Sequence, residues 1–198
     1  IADEVMTGWG RTGARFACDQ AQVMPDIVCL SKGLTGGFLP LGATVCQPRV
    51  YDAFYAKDRR KTFWHSSSFT GNPLSCAAAQ ANMRLWKTEN TDAKVTALTQ
   101  KQELHLGKIK DHPALMNVRQ TGTITAFDVK VPQEGYLSAV GPALYAFFLG
   151  RDVLLRPMGN TIYVLPPYCV KDEDLEVIYQ TIGAGLDAVV SGELERAA

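Results

Sequence analysis

Hydrophobic positions in the first third of the chain predict short buried strands joined by glycine-rich turns. Ile1–Val5 has strand-like alternation, and Ile27–Leu30 is a continuous apolar run. The segment between them is longer than the dozen residues that a parallel crossover needs, and it carries a short helical stretch at Phe16–Gln22. Leu41–Cys46 is the third predicted strand. We therefore predict an α/β sheet whose first two strands are parallel.

The apolar spacing changes to a helical period farther along the chain. Leu74–Lys87 predicts a helix with Asn72 as its N-cap and Pro73 in its first turn. A polar break at Thr88–Thr91 separates two predicted domains, residues 1–88 and residues 89–198. The second is predicted to be a small α+β domain, with helices at 92–111, 141–150 and 172–190 and strands at 116–120, 124–129, 153–156 and 162–165.

Composition narrows the class of protein. The 198 residues are 46% hydrophobic, which is enough for a core, and 20 basic residues balance 20 acidic ones. This balance favours neither nucleic acid nor an anionic membrane as a partner. No apolar run approaches the roughly 20 residues of a membrane span, and no signal-peptide pattern is present. A small metabolite as the ligand and a cytoplasmic location are expected.

Cysteines and histidines form no pattern typical of a disulfide framework or a metal site. The cysteines are odd in number and lack paired short spacing, and the histidines lack the i, i+4 placement of helical metal ligands. No metal site is predicted. The cysteines are expected to be small buried apolar residues, at Cys18, Cys29, Cys46, Cys76 and Cys169.

One carboxylate and one amine are predicted to lie at the same edge of the sheet. Asp3 shares a strand face with Val5 if Ile1–Val5 is extended, and Lys32 follows the second strand. Ligands of open α/β sheets bind outside the carboxyl ends of the strands. Pyridoxal 5'-phosphate (PLP) needs a lysine that binds its aldehyde and a carboxylate that pairs with its ring nitrogen. The alternative is an ordinary surface lysine beside a locally capping aspartate.

Longer motifs around this pair resemble the cofactor-binding core of class III aminotransferases in order and spacing. The matching residues are Asp3-Glu4-Val5-(x)2-Gly8-x-Gly10-Arg11-Thr12-Gly13, Pro25-Asp26-Ile27, Ser31-Lys32-Gly33 and Gly36-Gly37-(x)2-Pro40-Leu41-Gly42-Ala43. The resemblance implies a fold type I PLP-dependent transferase. Residues 1–88 would be part of its large, mostly parallel domain and residues 89–198 its small C-terminal domain. The phosphate cup and the ring-stacking aromatic of the family are expected in sequence ahead of Ile1.

The resemblance also implies roles for residues at the strand ends. Lys32 would bind the PLP aldehyde and act as the catalytic base, Asp3 would pair with the ring nitrogen, and Val5 would pack on the ring.

The serine-rich segment at 65–73 is the second stretch with a role in the family. Ser67 and Ser68 would bind the cofactor in the site of a neighbouring subunit, with Ser66 at the substrate mouth, which implies a homodimer with shared active sites. Family members commonly carry Thr where Ser68 stands, so the hydroxyl is kept and a methyl group is lost. From the residues alone, a serine run ahead of a helix is also explained by capping.

Arg156 ends an apolar run and precedes Pro157. Its planar guanidinium has the geometry to bind a carboxylate through two hydrogen bonds. Alternatively, a charged residue there is simply the first exposed position after the apolar run. The family resemblance implies that Arg156 binds the substrate carboxylate. Arg156-Pro157-x-Gly159-(x)2-Ile162-Tyr163-(x)2-Pro166-Pro167-Tyr168 is most similar to the biotin-pathway branch.

That branch implies transfer of an amino group from S-adenosylmethionine to 7-keto-8-aminopelargonate, which gives 7,8-diaminopelargonate. A class III ω-amino acid:pyruvate aminotransferase is the nearest alternative. A non-catalytic association module is the alternative from another class. Arg49–Lys57 has apolar residues at helical spacing, which predicts a helix. The charged run that follows it, Lys57–Lys61, is typical of a solvated loop.

Overall fold

The computed structural model describes residues 1–196. These form two compact units, one of Ile1–Ala93 and a second that begins at Lys94. The division falls in the first turn of a helix, Thr91–Ile109, just beyond the polar break at Thr88–Thr91. The boundary between domains at residues 88 and 89 stays a prediction.

The first unit contains a three-stranded sheet of β1 (Ala2–Asp3), β2 (Ile27–Leu30) and β3 (Ala43–Cys46), in that order. The parallel pairing of β1 with β2 is confirmed, and β3 runs antiparallel to β2. Strand β1 is shorter than predicted because the chain turns after Asp3, where the Gly8 N–H donates to the Glu4 carbonyl at 3.0 Å. The prediction that Asp3 and Val5 share a strand face is therefore wrong.

The helices of the first unit are α1 (Ala17–Ala21), α2 (Pro48–Asp52) and α3 (Pro73–Thr88), with 3-10 turns at Lys32–Thr35 and Arg59–Lys61. The predicted start of α3 is confirmed. The Asn72 side chain accepts hydrogen bonds from the N–H groups of Leu74 and Ser75 at 3.0 and 3.4 Å, and Pro73 is the first helical residue. Helix α2 ends well before the predicted Lys57.

The second unit packs helices on an antiparallel sheet. Its elements are α4 (Thr91–Ile109), β4 (Leu115–Thr121), β5 (Ile124–Val129), α5 (Val140–Leu149), β6 (Thr161–Val164), α6 (Asp172–Val190) and α7 (Glu193–Arg196), and the strand order is β4-β5-β6. The predicted β4–β5 hairpin is confirmed. The predicted strand at 153–156 is wrong, because its backbone bonds are local: the N–H groups of Val153 and Leu155 donate to Phe148 and Val153.

The main hydrophobic core lies in the second unit. Its buried cluster joins β5 and β6 to α5 and α6, and the fully inaccessible members include Phe127, Leu144, Phe148, Ile162 and Ile182. Burial of each such side chain contributes about 1.5–3 kcal/mol. This packing explains why the helical spacing of residues 172–190 predicts α6 so closely.

The cysteines are more accessible than the sequence suggests. Cys46 and Cys169 are exposed, and the other three are half-buried. The expectation that all five are buried apolar residues is therefore wrong. Among residues 1–194, whose side chains the structure describes, no group of three or more His, Cys, Asp or Glu side chains could hold a metal ion. In the same part of the chain, none of the helices combines the length and the apolar character needed to cross a membrane.

Candidate active site

The parallel pairing of β1 and β2 places Asp3 and Lys32 at the same edge of the sheet. Asp3 is the last residue of β1 and pairs with Cys29, and Lys32 follows the end of β2 at Leu30. Both side chains are exposed. The Lys32 side chain has no hydrogen-bond or ion-pair partner among residues 1–194, whose side chains the structure describes. One reactive amine and one carboxylate therefore border the region where ligands of open α/β sheets bind.

The 3-10 turn at Lys32–Thr35, called here the lysine turn, sets the direction in which Lys32 leaves the backbone. Lys32 has φ 41°, a left-handed conformation that costs a non-glycine residue roughly 1–2 kcal/mol. Two hydrogen bonds close the turn. The Leu34 N–H donates to the Ser31 carbonyl at 2.9 Å, and the Gly37 N–H donates to the Lys32 carbonyl at 3.2 Å. Surrounding contacts are needed to hold such a conformation.

Trp9 packs directly against the lysine turn. A Cβ atom added to Gly33 would lie 2.7 Å from the Cβ of Trp9, so this position has room only for glycine. The Trp9 ring is buried and lies 5.7 Å from the Phe16 ring and 5.9 Å from the Trp86 ring, measured between centroids. Through Trp9, the lysine turn therefore packs against a cluster of three aromatic rings.

Helix α3 binds the backbone of the lysine turn through a side-chain amide. The Asn82 Nδ2 donates to the carbonyl of Gly33 at 2.7 Å and to that of Leu34 at 3.1 Å. Ser75 lies on the same face of α3, at the i, i+7 spacing, and its hydroxyl donates to the Pro40 carbonyl at 3.1 Å. The helix thus holds both the beginning and the end of the loop that follows Lys32.

Asp3 and Glu4 are adjacent carboxylates in different surroundings. Asp3 Oδ1 accepts the Val5 N–H at 2.9 Å. Glu4 is only 2% exposed and accepts hydrogen bonds from the N–H groups of Ala17 and Cys18 and from the Thr7 hydroxyl. Burial alone would raise the pKa of Glu4, but these hydrogen bonds outweigh it and hold the pKa below its ordinary value. Glu4 therefore anchors the start of α1 behind Asp3.

The serine-rich segment lies in an exposed loop. Ser66, Ser67 and Ser68 are all exposed, and the Ser67 hydroxyl accepts the Phe69 N–H at 3.4 Å. Ser67 lines an open groove of about 1300 Å³ in the first unit. Aromatic rings make up much of its wall, at Tyr51, Phe54, Tyr55, Phe63, His65 and Phe69.

Arg156 belongs to the second unit and is exposed on the extended segment ahead of β6. Its guanidinium has no partner within the described part of the chain. The turn beside it is rigid, because buried Asn160 donates to the Val129 carbonyl at 3.0 Å and accepts the Gly135 N–H at 2.8 Å. A Cβ on Gly159 would lie 2.0 Å from the Gly135 carbonyl oxygen, so glycine is required there.

The structure brings Asp3 and Lys32 to one edge, leaves Val5 half-buried in the adjoining turn, and places Ser66–Ser68 on a loop of the same unit. The roles of these residues and of Arg156 stay predictions.

The sequence did not predict the parts played by Glu4 and Asn82. For Asn82 a signal was present, because asparagine is a poor helix former and yet stands inside an alanine-rich helix.

The fold that places a lysine and an aspartate at neighbouring strand ends is that of the PLP-dependent transferases of fold type I. Two solved aminotransferase structures superimpose with TM-scores of 0.85 and 0.87. The family model described as aminotransferase class-III matches residues 1–186, and the chain belongs to this family.

Several individual relatives within the family are similar to this chain. The adenosylmethionine-8-amino-7-oxononanoate aminotransferase of Synechococcus elongatus is 46% identical over 96% of this chain and 44% of the relative. The crystal structure of the enzyme of the same name from Methanocaldococcus jannaschii has a TM-score of 0.82 at 31% identity, over 91% of this chain and 44% of that one.

A solved (S)-enantioselective omega-transaminase from Thermomicrobium roseum has a TM-score of 0.84 at 29% identity, over 94% of this chain and 42% of that one. The chain thus spans less than half the length of these relatives.

Class III aminotransferases depend on PLP, and the residues at the sheet edge fit this cofactor. Lys32 offers an exposed, unpartnered amine for the aldehyde, and Asp3 offers an exposed carboxylate for the ring nitrogen. Gly37, in the loop that follows, has nothing within 4 Å of the Cβ position. The edge therefore has both the chemistry and the open space that the cofactor needs.

Proposed function

We propose that the complete protein carrying this chain is a PLP-dependent aminotransferase of biotin biosynthesis. It transfers an amino group from S-adenosylmethionine to 7-keto-8-aminopelargonate and yields 7,8-diaminopelargonate. The observation that carries the proposal is the unpartnered Lys32 amine beside Asp3 at the ends of two parallel strands. The names of the Synechococcus and Methanocaldococcus relatives support the choice of substrates.

The cofactor, when bound, supplies an electron sink for cleavage of a C–H bond next to the transferred nitrogen. Lys32 would hold the cofactor through Nζ, and the same nitrogen would serve as the general base that moves a proton. Asp3 would pair with the ring nitrogen and keep it protonated, and Val5 would pack on the ring. These three positions carry the chemistry of this half of the site.

Arg156 serves the substrate in this proposal. Its planar fork binds a carboxylate through two parallel hydrogen bonds. The rigid turn at Gly159 and Asn160 supports the backbone near Arg156. A guanidinium at this position would discriminate a long keto acid that ends in a carboxylate from a simple amine.

A homodimer with shared active sites completes the proposal. Ser67 and Ser68 bind the cofactor phosphate of the partner subunit, and Ser66 lies at the mouth of its substrate site. The exposed aromatic residues of the same loop region support a partner here, since Phe63, Trp64 and Phe69 are 64%, 77% and 79% exposed. A contiguous exposed apolar patch of this kind is typical of an interaction surface.

An omega-transaminase is the second candidate function, and the Thermomicrobium roseum structure favours it because it matches the fold equally well. The two functions share Lys32 and Asp3 and differ in the substrates. A spectrophotometric test therefore separates them: S-adenosylmethionine should bleach the visible absorbance of the holoenzyme, whereas simple ω-amino acids should leave it unchanged.

The cofactor assignment is tested by borohydride reduction of the holoenzyme followed by peptide mass spectrometry. The pyridoxyl label is expected on Lys32 alone, and Lys32→Ala should abolish both the label and turnover. Lys57 and Lys61 are the natural comparison, since both are exposed lysines of the same unit. A label on either of them would refute the assignment.

The substrate class is tested with Arg156→Ala and Arg156→Lys. A charged hydrogen-bonded partner is worth roughly 1.5–3 kcal/mol, so loss of the guanidinium should raise KM for the keto acid about ten- to a hundred-fold. The half-reaction with the amino donor should change much less, provided that the donor does not place its own carboxylate at Arg156. Lys should recover only part of the loss because a point charge lacks the bidentate geometry. Equal affinity of Arg156→Ala and the wild type for the keto acid would make Arg156 a simple surface charge.

A further inference from the structure

We infer that Asn82 is a positioning residue for Lys32: its side-chain amide holds the lysine turn in the conformation from which the Lys32 amine reaches its target. The inference rests on the proposed role of Lys32. Asn82 itself touches neither substrate nor cofactor in this proposal, and it acts only through the backbone of the turn.

The contacts of Asn82 are specific to the turn. The amide nitrogen donates to two consecutive carbonyls, those of Gly33 and Leu34, at 2.7 and 3.1 Å. The amide oxygen faces Gly36, where an added Cβ would lie 3.1 Å from it. One side chain therefore binds two consecutive carbonyls of the lysine turn and leaves little room beside Gly36.

The position of Asn82 on its helix agrees with a dedicated role. Ser75, Ala79, Asn82 and Trp86 share one face of α3, and of these the alanine and the tryptophan are buried apolar residues. Asparagine is a poor helix former in such an alanine-rich segment. The residue is therefore explained by the two carbonyls that it binds rather than by the helix that carries it.

The conformation held by Asn82 is one that Lys32 would not adopt alone. The backbone of Lys32 is left-handed, with φ 41°, and Lys32 is the first residue of the turn. Among the described side chains, those of residues 1–194, Lys32 has no partner that would fix its direction. Its direction thus depends on the backbone, and loss of the Asn82 donor lets the turn relax toward other conformations.

The test compares two cofactor forms on the apoenzyme of the complete protein. PLP carries the aldehyde that reacts with Lys32, whereas pyridoxamine 5'-phosphate lacks it and binds without that bond. We expect Asn82→Ala to weaken PLP binding and to slow its covalent capture about three- to ten-fold, the effect of one or two net hydrogen bonds. Binding of pyridoxamine 5'-phosphate should stay at the wild-type value.

Two further variants make the comparison specific. Gln80→Ala changes an exposed position of the same helix and should alter neither cofactor form. Asn82→Ser keeps a shorter donor and should lose less than Asn82→Ala, and it serves as the test variant if the alanine protein does not fold. Equal weakening of both cofactor forms, or no weakening of either, overturns the inference. A wild-type apoenzyme that does not attach PLP to Lys32 overturns the proposed function instead.

Discussion

The two units of the chain stabilise themselves in different ways. In the second unit, apolar residues from α4 to α7 and from the sheet form one buried cluster with several fully inaccessible side chains. In the first unit, the buried hydrophobic residues among those described are only Trp9, Leu34, Ala79 and Trp86. Its loops are held instead by hydrogen bonds that the Glu4 carboxylate accepts and that the Ser75 and Asn82 side chains donate.

The unit with most of the candidate site residues is not the unit with the larger apolar core. The unit with the larger apolar core carries one candidate binding residue, Arg156, on a rigid turn. The unit with the smaller core carries Lys32, Asp3 and the serine-rich loop, and it exposes many aromatic rings. The left-handed backbone at Lys32 belongs to this second kind of region, and such a conformation persists only where surrounding contacts hold it.

The largest expected effect is on activity and concerns Asp3. Asp3→Asn in the holoenzyme should lower turnover by orders of magnitude, because the ring nitrogen loses its carboxylate partner. Stability should hardly change, since the asparagine oxygen can still accept the Val5 N–H. Asp111→Asn, an exposed carboxylate of the second unit, is the matched control. Turnover of Asp3→Asn within a few-fold of the wild type would refute the assignment.

The second effect is on stability and concerns the core of the second unit. Phe148 is fully buried, so Phe148→Ala should lower the free energy of unfolding by about 3–5 kcal/mol. The neighbouring Leu149 is 49% exposed, and Leu149→Ala should change stability by far less. Urea unfolding followed by circular dichroism gives both values. Equal losses from the two variants would contradict the core described here.

The sequence predicts the regular elements well where local pattern and packing agree. Residues 172–190 combine three acidic residues at the helix start with an amphipathic period, and α6 has these bounds. The apolar run at 153–156 has the same composition as a strand, but no neighbouring strand supplies its hydrogen bonds. An apolar run predicts that side chains are buried, but it does not predict whether the backbone pairs with a neighbouring strand.

For the candidate site, the sequence predicts which residues provide the amine and the carboxylate, but it does not predict the contacts that support them. Lys32 and Asp3 follow from strand ends and motif spacing. The support of Lys32 does not, because Asn82 and Trp9 contact the lysine turn from distant parts of the sequence. The burial of Glu4 depends on the same kind of long-range contact, with the N–H groups at the start of α1.

A third prediction addresses the close packing beneath Lys32. Gly33→Ala forces a Cβ against the Cβ and ring of Trp9, and such overpacking should cost about 1–3 kcal/mol. The tryptophans of the chain, Trp9, Trp64 and Trp86, all lie in the first unit, so tryptophan fluorescence during urea unfolding reports on that unit. Gly107→Ala is the control, because nothing lies within 4 Å of its Cβ position. An unchanged fluorescence transition in Gly33→Ala would contradict the packing.

The smallest effect tests whether Glu4 stabilises the first unit through its charge. The folded pKa of Glu4 lies below its ordinary value despite burial, which would raise it, because Thr7, Cys18 and Ala17 donate hydrogen bonds to the carboxylate. Because the folded pKa is depressed, the stabilisation by these hydrogen bonds is fully present above the ordinary carboxyl pKa of 4.5 and is lost as the pH falls through the folded pKa.

Glu4→Gln should therefore lower the free energy of unfolding at pH 7 by about 1 kcal/mol, since the amide oxygen keeps part of the hydrogen bonding. The difference from the wild type should shrink between about pH 5 and pH 3, as the wild-type carboxylate becomes protonated. Tryptophan fluorescence in urea at each pH gives the comparison. Glu103→Gln, at an exposed position of α4 in the second unit, should show no such convergence. A Glu4→Gln deficit that stays constant down to pH 3 would mean that side-chain shape, and not the ionised carboxylate, anchors the start of α1.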